Sequence, residues 1–329
     1  MRKIVAVLLT GLIFAFVCSC QKKDDGAITV GIGVIIAHPA LDAVVLGVTD
    51  RIKESNKNIK FDIQNANGDI NTAASIANKF KSDADLSIGI ATPIAVALAN
   101  AIKDKPVIFS VVNNPVEAGL TESLNSGYKN VTGLSDAIPI KNHLEEFTKI
   151  YPIKRLGFVY SNSESNAVGM AEQTKAVCEE MGIEFVPATI TNPAEVKQAA
   201  ESLVGRVDAF YTVTDNTLFS GINSLLATAK ANKIPVFGAD TTAAKNGGMI
   251  FAIGFDYYEA GRLTAEIALD VLNGKKPEDI PVQLMKYPES ASTLVDLDTA
   301  EYLGITIPQE YIENAHMIIK DGKLTIMEK

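Results

Sequence analysis

Short apolar runs alternate with segments of helical spacing along most of the chain. Apolar runs rich in Val and Ile and followed by turn residues predict buried strands. Segments whose apolar residues recur every three or four positions predict helices. In the first half, the predicted strands cover 28–36, 59–64, 86–91 and 106–112, and the predicted helices cover 41–54, 71–81 and 94–102.

The same order of elements returns in the second half. Strands are predicted at 155–160, 184–186, 207–213 and 235–237, and helices at 167–181, 194–204 and 218–231. Each half therefore has the order β-α-β-α-β-α-β, which is typical of a parallel sheet with helices on both faces. The pattern predicts an α/β fold with two doubly wound parallel-sheet lobes and a hinge between them.

The chain is expected to pass between these lobes more than once. We place the first join near residues 133–139, and a helix at 253–275 is expected to return to the first lobe. The tail from Val282 is expected to cross back. The N-terminal lobe is thus residues 27–135 plus 256–280, and the C-terminal lobe is residues 136–255 plus 281–329.

The first residues have the pattern of an export signal. Arg2 and Lys3 precede an apolar stretch that is shorter than the roughly 18 residues a membrane-spanning helix needs. The Ser19-Cys20 step resembles a bacterial lipobox, with Cys20 as the lipidated first residue of the mature chain. Residues 1–19 are then a signal peptide and residues 20–26 a lipid-anchored tether, on a cell membrane and facing the periplasm or the cell exterior. A plain signal peptide cut near the same place is the alternative.

Composition narrows the possible functions. The 329 residues are 47% hydrophobic and 21% charged, as in an ordinary globular protein. A formal charge of −9 gives no electrostatic basis for binding nucleic acid. With 3 Cys and 3 His, the chain has too few ligands for a zinc cluster, and it has no dinucleotide loop, P-loop or G-x-S-x-G motif. We therefore expect no cofactor, no metal and no enzymatic activity.

Polar residues gather where the predicted strands end. Ligands of open parallel sheets bind outside the carboxyl ends of the strands, so these side chains are candidates for ligand contact. The candidates at strand ends are His38, Thr92, Pro93, Asn114, Ser163, Asp215 and Asn216. Several of them also precede predicted helices, so helix capping is an alternative role for each. For His38, packing is a further alternative.

The charges at these positions predict a kind of ligand. None of the arginines follows the carboxyl end of a predicted strand, so an anionic group would be held by helix N-termini and by hydroxyls such as those of Thr92 and Ser163. Asp136, Asp215 and Asp256 fall at crossovers or strand ends and can face a cation. Donors on one side and carboxylates on the other suit a zwitterion, which favours an amino acid over a sugar.

Several stretches are similar to those of a known family. They are His38-Pro39-Ala40-Leu41-Asp42, Gly89-Ile90-Ala91-Thr92-Pro93, Asn130-Val131-Thr132-Gly133-Leu134-Ser135-Asp136, Thr214-Asp215-Asn216 and Ile280-Pro281-Val282. The chain resembles the substrate-binding lipoproteins of bacterial ABC importers, in the branch that includes tryptophan and tyrosine binders.

The resemblance implies a periplasmic-binding-protein-like fold of type I that closes on an aromatic amino acid or a related small molecule, with an ABC permease as partner. By position, it implies Thr92, Ser135, Asp136, Asp215 and Asp256 as the leading candidates for ligand contact. Many relatives have an acidic residue before the proline where this chain has Asn113-Asn114-Pro115, which leaves the exact ligand open. The alternatives are a nucleoside or a sugar on the same fold, or an exported hydrolase.

Overall fold

The computed structural model describes residues 26–327. The predicted signal peptide, residues 1–19, the predicted lipidation site Cys20 and the tether up to Asp25 lie outside the described residues.

Strands and helices alternate through the described chain. The strands are β1 (Ile28–Val34), β2 (Ile59–Asn65), β3 (Leu86–Ile90), β4 (Val107–Ser110), β5 (Val131–Ser135), β6 (Arg155–Ser161), β7 (Glu184–Ile190), β8 (Ala209–Thr212), β9 (Val236–Gly238), β10 (Phe251–Phe255), β11 (Gln283–Leu284), β12 (Ala291–Asp296), β13 (Met317–Lys320) and β14 (Lys323–Ile326). The helices are α1 (Pro39–Glu54), α2 (Ile70–Asp83), α3 (Thr92–Ala101), α4 (Ile140–Ile150), α5 (Ser165–Met181), α6 (Val196–Leu203), α7 (Asn216–Ser220), α8 (Ile222–Ala231), α9 (Thr241–Ala244), α10 (Tyr257–Leu272), α11 (Leu297–Leu303) and α12 (Gln309–Glu313).

The first lobe is built on a parallel sheet with the strand order β11-β5-β4-β3-β1-β2. Strands β3 and β5 are buried along their whole length. Burial on both faces explains why such strands are continuous apolar runs in the sequence. Helix α10 returns to this lobe and packs along α1.

The second lobe is built on a sheet with the strand order β14-β13-β12-β10-β9-β8-β6-β7. Its pairs from β7 to β10 are parallel, whereas the β10–β12 and β13–β14 pairs are antiparallel. Separate apolar clusters cover the two faces of this sheet. The prediction of two α/β lobes with parallel sheets is therefore confirmed.

Within residues 26–327, the chain passes between the lobes at residues 136–139, at Asp256 and at residues 285–290. Ile138 of the first passage and Tyr287 of the last contact the apolar cores of both lobes. The first passage was predicted near residues 133–139, but it begins only at residue 136, because residues 133–135 belong to β5. The chain also stays with the first sheet beyond residue 281, since β11 pairs with β5.

The predicted helix at 253–275 is wrong at its start. Residues Phe251–Phe255 form strand β10, which is fully buried between β9 and β12. The helix α10 begins only at Tyr257, after Asp256 caps its first turn. The period of a short apolar run does not show whether the run is a buried strand or a buried helix. The sequence pattern therefore predicted one helix where the structure has a strand followed by a helix.

The predicted helix at 218–231 is two helices in the structure. Helix α7 ends at Ser220 and α8 begins at Ile222, with Gly221 between them. A Cβ on Gly221 would approach the carbonyl oxygen of Pro193 to 2.7 Å, so the chain needs glycine at this close contact. Strand β7 also continues past the predicted 184–186 to Ile190.

Candidate functional site

A cleft between the lobes lies at the carboxyl ends of their parallel strands. Its lining includes His38, Leu41, Thr92, Val111, Asn113 and Tyr257 of the first lobe, Asp136 of the first crossover, and Asn166, Thr214, Asn216, Phe219 and Asp240 of the second lobe. The cleft cavity measures about 20 Å³, and an adjoining cavity of about 40 Å³ shares Thr92, Asn113 and Asn166. A single water needs roughly 10–15 Å³, so the lobes are closely apposed.

Helices α1 and α3 of the first lobe begin at this cleft. Helix α1 follows His38 and helix α3 follows Ala91, and neither has a side-chain cap. Ala91 has a φ of 77°, a left-handed conformation that is unusual for a residue other than glycine. The start of α3 therefore brings first-turn N–H groups and the hydroxyl of Thr92 to the cleft, which suits an anionic group.

Asp136 connects the first crossover to the first lobe. Its carboxylate accepts a hydrogen bond from Asn113 Nδ2 at 3.0 Å and another from the hydroxyl of Tyr257 at 3.2 Å. The side chain is buried, and burial raises the pKa of Asp136 to about 7. A nearby positive charge would favour the ionised form of this carboxyl.

Asp240 and Asn166 bring oxygen atoms to the cleft that lack hydrogen-bond donors. Asp240 Oδ1 caps α9 by accepting from the N–H groups of Thr242 and Ala243. Asp240 Oδ2 and Asn166 Oδ1 are buried without a hydrogen-bond partner in the described part of the chain. Burial raises the pKa of Asp240 to about 6. An unpaired buried polar atom is costly, so both oxygens are suited to a donor from a ligand.

Within residues 26–327, no Lys or Arg side chain lines the cleft cavity. The one histidine among these lining residues is His38, and burial lowers its pKa to about 4, so its imidazole is neutral at physiological pH. The cleft therefore combines buried carboxyl groups with no positive side chain to balance them. A ligand that carries a cation would supply that charge.

Hydrogen bonds between side chains also cross the cleft directly. Asn113 of the first lobe donates from Nδ2 to Thr214 Oγ1 of the second lobe at 3.0 Å. His38 Nε2 lies 3.4 Å from Asn216 Oδ1, and the His38 ring is edge-on to Phe219. The lobes therefore have a closed arrangement that side chains on both sides stabilise.

Comparison with known proteins identifies the family. A sequence profile of the ABC transporter substrate binding protein family matches residues 29–319. The chain belongs to this family. It is 33% identical over 324 residues to a tyrosine-binding protein of Clostridioides difficile strain R20291, covering 92% of this chain and 93% of that protein. The expectation that the chain is not an enzyme is confirmed, because the matched family is one of substrate-binding proteins.

Solved structures of the family differ in how well they superpose. An ABC domain in complex with L-Trp from Streptococcus pneumonia has a TM-score of 0.84 at 30% identity, covering 89% of this chain and 100% of that chain. The ligand-free, open structure of a substrate-binding protein with adhesive properties from Clostridium difficile has a TM-score of 0.66 at 34% identity, covering 89% and 99%. The described lobes are thus arranged more like those of the ligand-bound family member.

Part of the predicted set of site residues lies at the cleft between the lobes. His38, Thr92, Asp136 and Asn216 line the cleft cavity, and Asn114 lines the adjoining one. Pro93 lies in the first turn of α3 and is not among the described residues that line either cavity. Ser135 donates from its hydroxyl to the carbonyl of Asn113, so it supports a lining residue from behind.

The structure does not bring Asp215 to the cleft cavity. The side chain is fully buried, and its oxygens accept from the N–H groups of Ser161 at 2.6 Å and Leu218 at 2.9 Å. Burial and the nearby Glu164 carboxylate raise the pKa of Asp215. Both oxygens already have backbone partners, which is the geometry of the helix-capping alternative.

Asp256 and Ser163 are exposed and lie outside the cleft lining. Asp256 caps α10 through the N–H groups of Tyr258 and Glu259. Ser163 shares a hydrogen bond of 2.8 Å with the hydroxyl of Ser161. Ser163 follows a strand and Asp256 lies at a crossover, as predicted, but both side chains are used locally.

Several lining residues were not selected as site residues from the sequence. Asp240 follows β9, so its position at a strand end was visible, but nothing local separates it from other capping aspartates. Asn166 and Tyr257 lie inside the first turns of α5 and α10, where a polar residue gives no signal. Phe219 has the pattern of an ordinary core residue. Only the approach of the lobes brings these side chains together.

A larger cavity of about 340 Å³ lies in the second lobe, apart from the cleft. Phe251, Tyr287 and Tyr311 contribute aromatic walls to it. Several of its polar groups are paired with one another; for example, the hydroxyl of Tyr311 donates to Glu146 at 2.6 Å. None of the predicted site residues lines this cavity, and it has no buried unpaired polar atom among the described residues that points to a ligand.

Proposed function

We propose that the protein captures an amino acid, most suitably an aromatic one, in the cleft between its lobes. The observation that carries this proposal is Asp240 Oδ2, a buried carboxylate oxygen at the cleft with no donor in the described chain. A buried carboxylate requires a paired cation or hydrogen-bond donors. The ammonium group of an amino acid provides both.

The ammonium end of the ligand would lie among acceptors. Asp240 Oδ2, Asn166 Oδ1 and the Asp136 carboxylate all belong to the lining of the cleft. An ammonium group has three donors, and hydrogen bonds between charged groups are shorter and stronger than those between neutral groups. Ligand binding would therefore keep Asp136 and Asp240 ionised.

The carboxylate end would lie at the start of α3. The uncapped first turn of this helix and the Thr92 hydroxyl offer donors without a positive side chain. The positive end of the helix dipole adds to this preference for an anion. The two ends of a zwitterion would thus be bound by groups of opposite character.

The ligand side chain would contact the apolar part of the lining. Leu41, Phe219 and the neutral ring of His38 form this part. Aromatic rings pack well edge-to-face against such groups. Relatives whose names state tyrosine binding or a complex with L-Trp favour an aromatic side chain. A nucleoside or a sugar on the same fold is the second candidate.

Capture would occur by closure of the lobes about the crossover segments. A ligand that contacts both lobes shifts the equilibrium toward the closed state. The closed protein would then deliver its ligand to a permease in the membrane, as expected for a member of an ABC importer system. No chemical change of the ligand is required.

Delivery to a permease requires that the protein act outside the cytoplasm. None of the helices in residues 26–327 is long and apolar enough to cross a membrane. We propose that export follows removal of residues 1–19 and that a lipid on Cys20 anchors the chain. Replacing the cysteine, Cys20→Ala, should release the protein from the membrane fraction. Unchanged membrane retention together with no lipid labelling of the wild type would contradict the anchor.

Calorimetric titration tests the ligand class. L-tyrosine, L-tryptophan and L-phenylalanine are compared with tyramine, which lacks the carboxylate, and with hydroxyphenylpropionate, which lacks the ammonium. If a buried charge pair forms, the analogue without the ammonium should bind about a hundredfold more weakly or worse. A nucleoside and a sugar complete the panel. Binding of either, with none for the amino acids, would replace the proposal by its alternative.

A further inference from the structure

Asn216 lies between two polar groups, one from each lobe. Its nitrogen Nδ2 donates to Glu164 Oε2 at 2.5 Å, and its oxygen Oδ1 lies 3.4 Å from His38 Nε2. Glu164 and Asn216 belong to the second lobe, and His38 precedes α1 of the first. All three side chains are buried. A chain of polar side chains thus crosses between the lobes at the cleft.

Glu164 decides which end of the Asn216 amide faces His38. Its carboxylate also accepts from the N–H of Thr217 at 2.9 Å and from the Thr217 hydroxyl at 2.6 Å. An ionised carboxylate only accepts hydrogen bonds, and an amide nitrogen only donates them. The Asn216 nitrogen is therefore held against Glu164, and its oxygen is left for His38. A neutral imidazole that donates to this oxygen carries its proton on Nε2.

We propose that Glu164 is a positioning residue for closure of the cleft. By orienting Asn216, it fixes His38 as the Nε2–H tautomer and gives the closed lobes a hydrogen bond between them. Glu164 is not among the described residues that line the cleft cavity, so it acts through Asn216. This inference rests on the proposed function, because it assigns Glu164 to the closing of the same cleft.

The His38 ring provides a direct readout without any ligand. Nitrogen NMR distinguishes the Nε2–H and Nδ1–H tautomers, and His38→Gln identifies the His38 signals among those of the 3 histidines. We expect the Nε2–H tautomer in the wild-type, ligand-free protein. An Nδ1–H tautomer, or an equal mixture of the two, would overturn the proposal.

The variant Glu164→Gln should switch this tautomer. The backbone N–H of Thr217 can only donate, so the amide oxygen of the glutamine must face it and the amide nitrogen must face Asn216. Asn216 then turns its oxygen toward the glutamine and its nitrogen toward His38. His38 must accept from that nitrogen with Nε2, which moves the ring proton to Nδ1. An unchanged Nε2–H tautomer in a folded Glu164→Gln protein would contradict the proposed role.

A matched control separates positioning from simple support of the fold. Thr217→Val keeps the side-chain shape and removes the hydroxyl that donates to Glu164 Oε1, but it leaves the contact between Glu164 and Asn216. We expect a lower melting temperature and an unchanged His38 tautomer. If Glu164→Gln does not fold, Asn216→Ala provides the test, because it removes the acceptor of His38. The Nε2–H proton of His38 should then exchange with solvent faster than in the wild type, and an unchanged exchange rate would overturn the proposal.

Ligand affinity tests whether the contacts among Glu164, Asn216 and His38 contribute to ligand capture. Once an amino acid is found to bind, Glu164→Ala, which no longer orients the Asn216 amide, should weaken its binding about fivefold to tenfold, the usual range for one hydrogen bond. In a His38→Ala background, the same change should have little further effect, because the hydrogen bond between Asn216 and His38 is already lost. Additive losses would show that Glu164 does not act through His38. If no amino acid binds the wild type, the proposed function fails, while the tautomer measurement still decides the role of Glu164.

Discussion

Asn113 and Thr214 connect the two lobes directly. Asn113 Nδ2 donates to Thr214 Oγ1 at 3.0 Å and also to Asp136 Oδ1 at 3.0 Å. One side-chain amide therefore joins the end of β4, the first crossover and the end of β8. Because Asp136 also accepts from Tyr257 at the start of α10, movement of the second lobe is coupled to the polar groups of the cleft.

The substitution Asn113→Asp should open the lobes. Aspartate removes both donors and places a carboxylate beside Asp136, so the closed state loses two hydrogen bonds and gains a repulsion. Small-angle scattering of the ligand-free variant should show a larger radius of gyration than that of the wild type. Asn125→Asp, which makes the same change of charge at an exposed position of the first lobe, is the control. Equal scattering profiles for all three proteins would refute the prediction.

Asp240→Asn should abolish most ligand binding with little effect on the fold. Asparagine keeps the oxygen that caps α9 but removes the charge at the unpaired Oδ2 position. Loss of one partner of a buried charge pair costs about 3–5 kcal/mol, which is a hundredfold or more in affinity. Asp256→Asn is a matched control, because exposed Asp256 caps α10 in the same way outside the cleft. Calorimetry that finds equal affinities for both variants would remove Asp240 from the site.

Asp215→Asn should lower stability and leave affinity nearly unchanged. Both oxygens of Asp215 accept from backbone N–H groups, and an asparagine can offer only one acceptor. An unsatisfied buried N–H costs about 1–3 kcal/mol, which urea denaturation would detect. A tenfold loss of affinity with unchanged stability would instead support a direct contact of Asp215 with the ligand.

The stability of the ligand-free protein should fall as the pH rises through neutrality. Burial raises the pKa of Asp136 to about 7 and that of Asp240 to about 6, and burial together with Glu164 raises that of Asp215. The folded state therefore binds more protons than the unfolded state up to these pKa values, and stability declines with pH over that range.

Two histidines act in the opposite direction at lower pH. Burial lowers the pKa of His38 and of His143 from 6.5 to about 4, so their contribution to stability rises up to about pH 6.5 and then stays constant. Above that pH, the buried acids determine the slope. Urea denaturation at about pH 6.5 and about pH 8 should give a lower free energy of unfolding at the higher pH, and Asp136→Asn should reduce the difference. A rise between these two values would contradict the assignment.

Gly261→Ala should destabilise the contact between α1 and α10. A Cβ on Gly261 would overlap the carbonyl oxygen of Val44 and lie 3.0 Å from the Cα of Gly47, so the helix backbones must separate. Such overpacking costs about 1–3 kcal/mol. Gly169→Ala on α5 is the contrast, because the atoms nearest to its Cβ would be those of the flexible Glu117 side chain. Equal free energies of unfolding for the two variants would show that the helices are not closely packed at Gly261.

Most of the elements that position the cleft follow from local patterns. The buried strands β1 and β3 and the helices α1, α2 and α5 lie where the apolar periodicity predicts them. Strands β10, β12 and β13 were not predicted. They belong to the part of the second sheet that includes an antiparallel pair, where partners are set by contacts between distant segments. The resemblance of short motifs to an ABC importer family, which the family profile supports, came from the sequence alone.

The aspartates show where local information ends. Asp215, Asp240 and Asp256 each follow a strand, precede a helix and cap it, so the sequence around them determines the same local structure at all three positions. Tertiary packing gives them different environments. Both oxygens of Asp215 receive backbone donors, Asp256 remains exposed, and Asp240 keeps one buried oxygen without a donor at the cleft. The sequence alone determined the lobes, the strand ends and the capping residues, because these depend on neighbours along the chain. Only the tertiary structure decided which carboxylate can receive a ligand, because that depends on which donors and which lobe surface arrive from elsewhere in the chain.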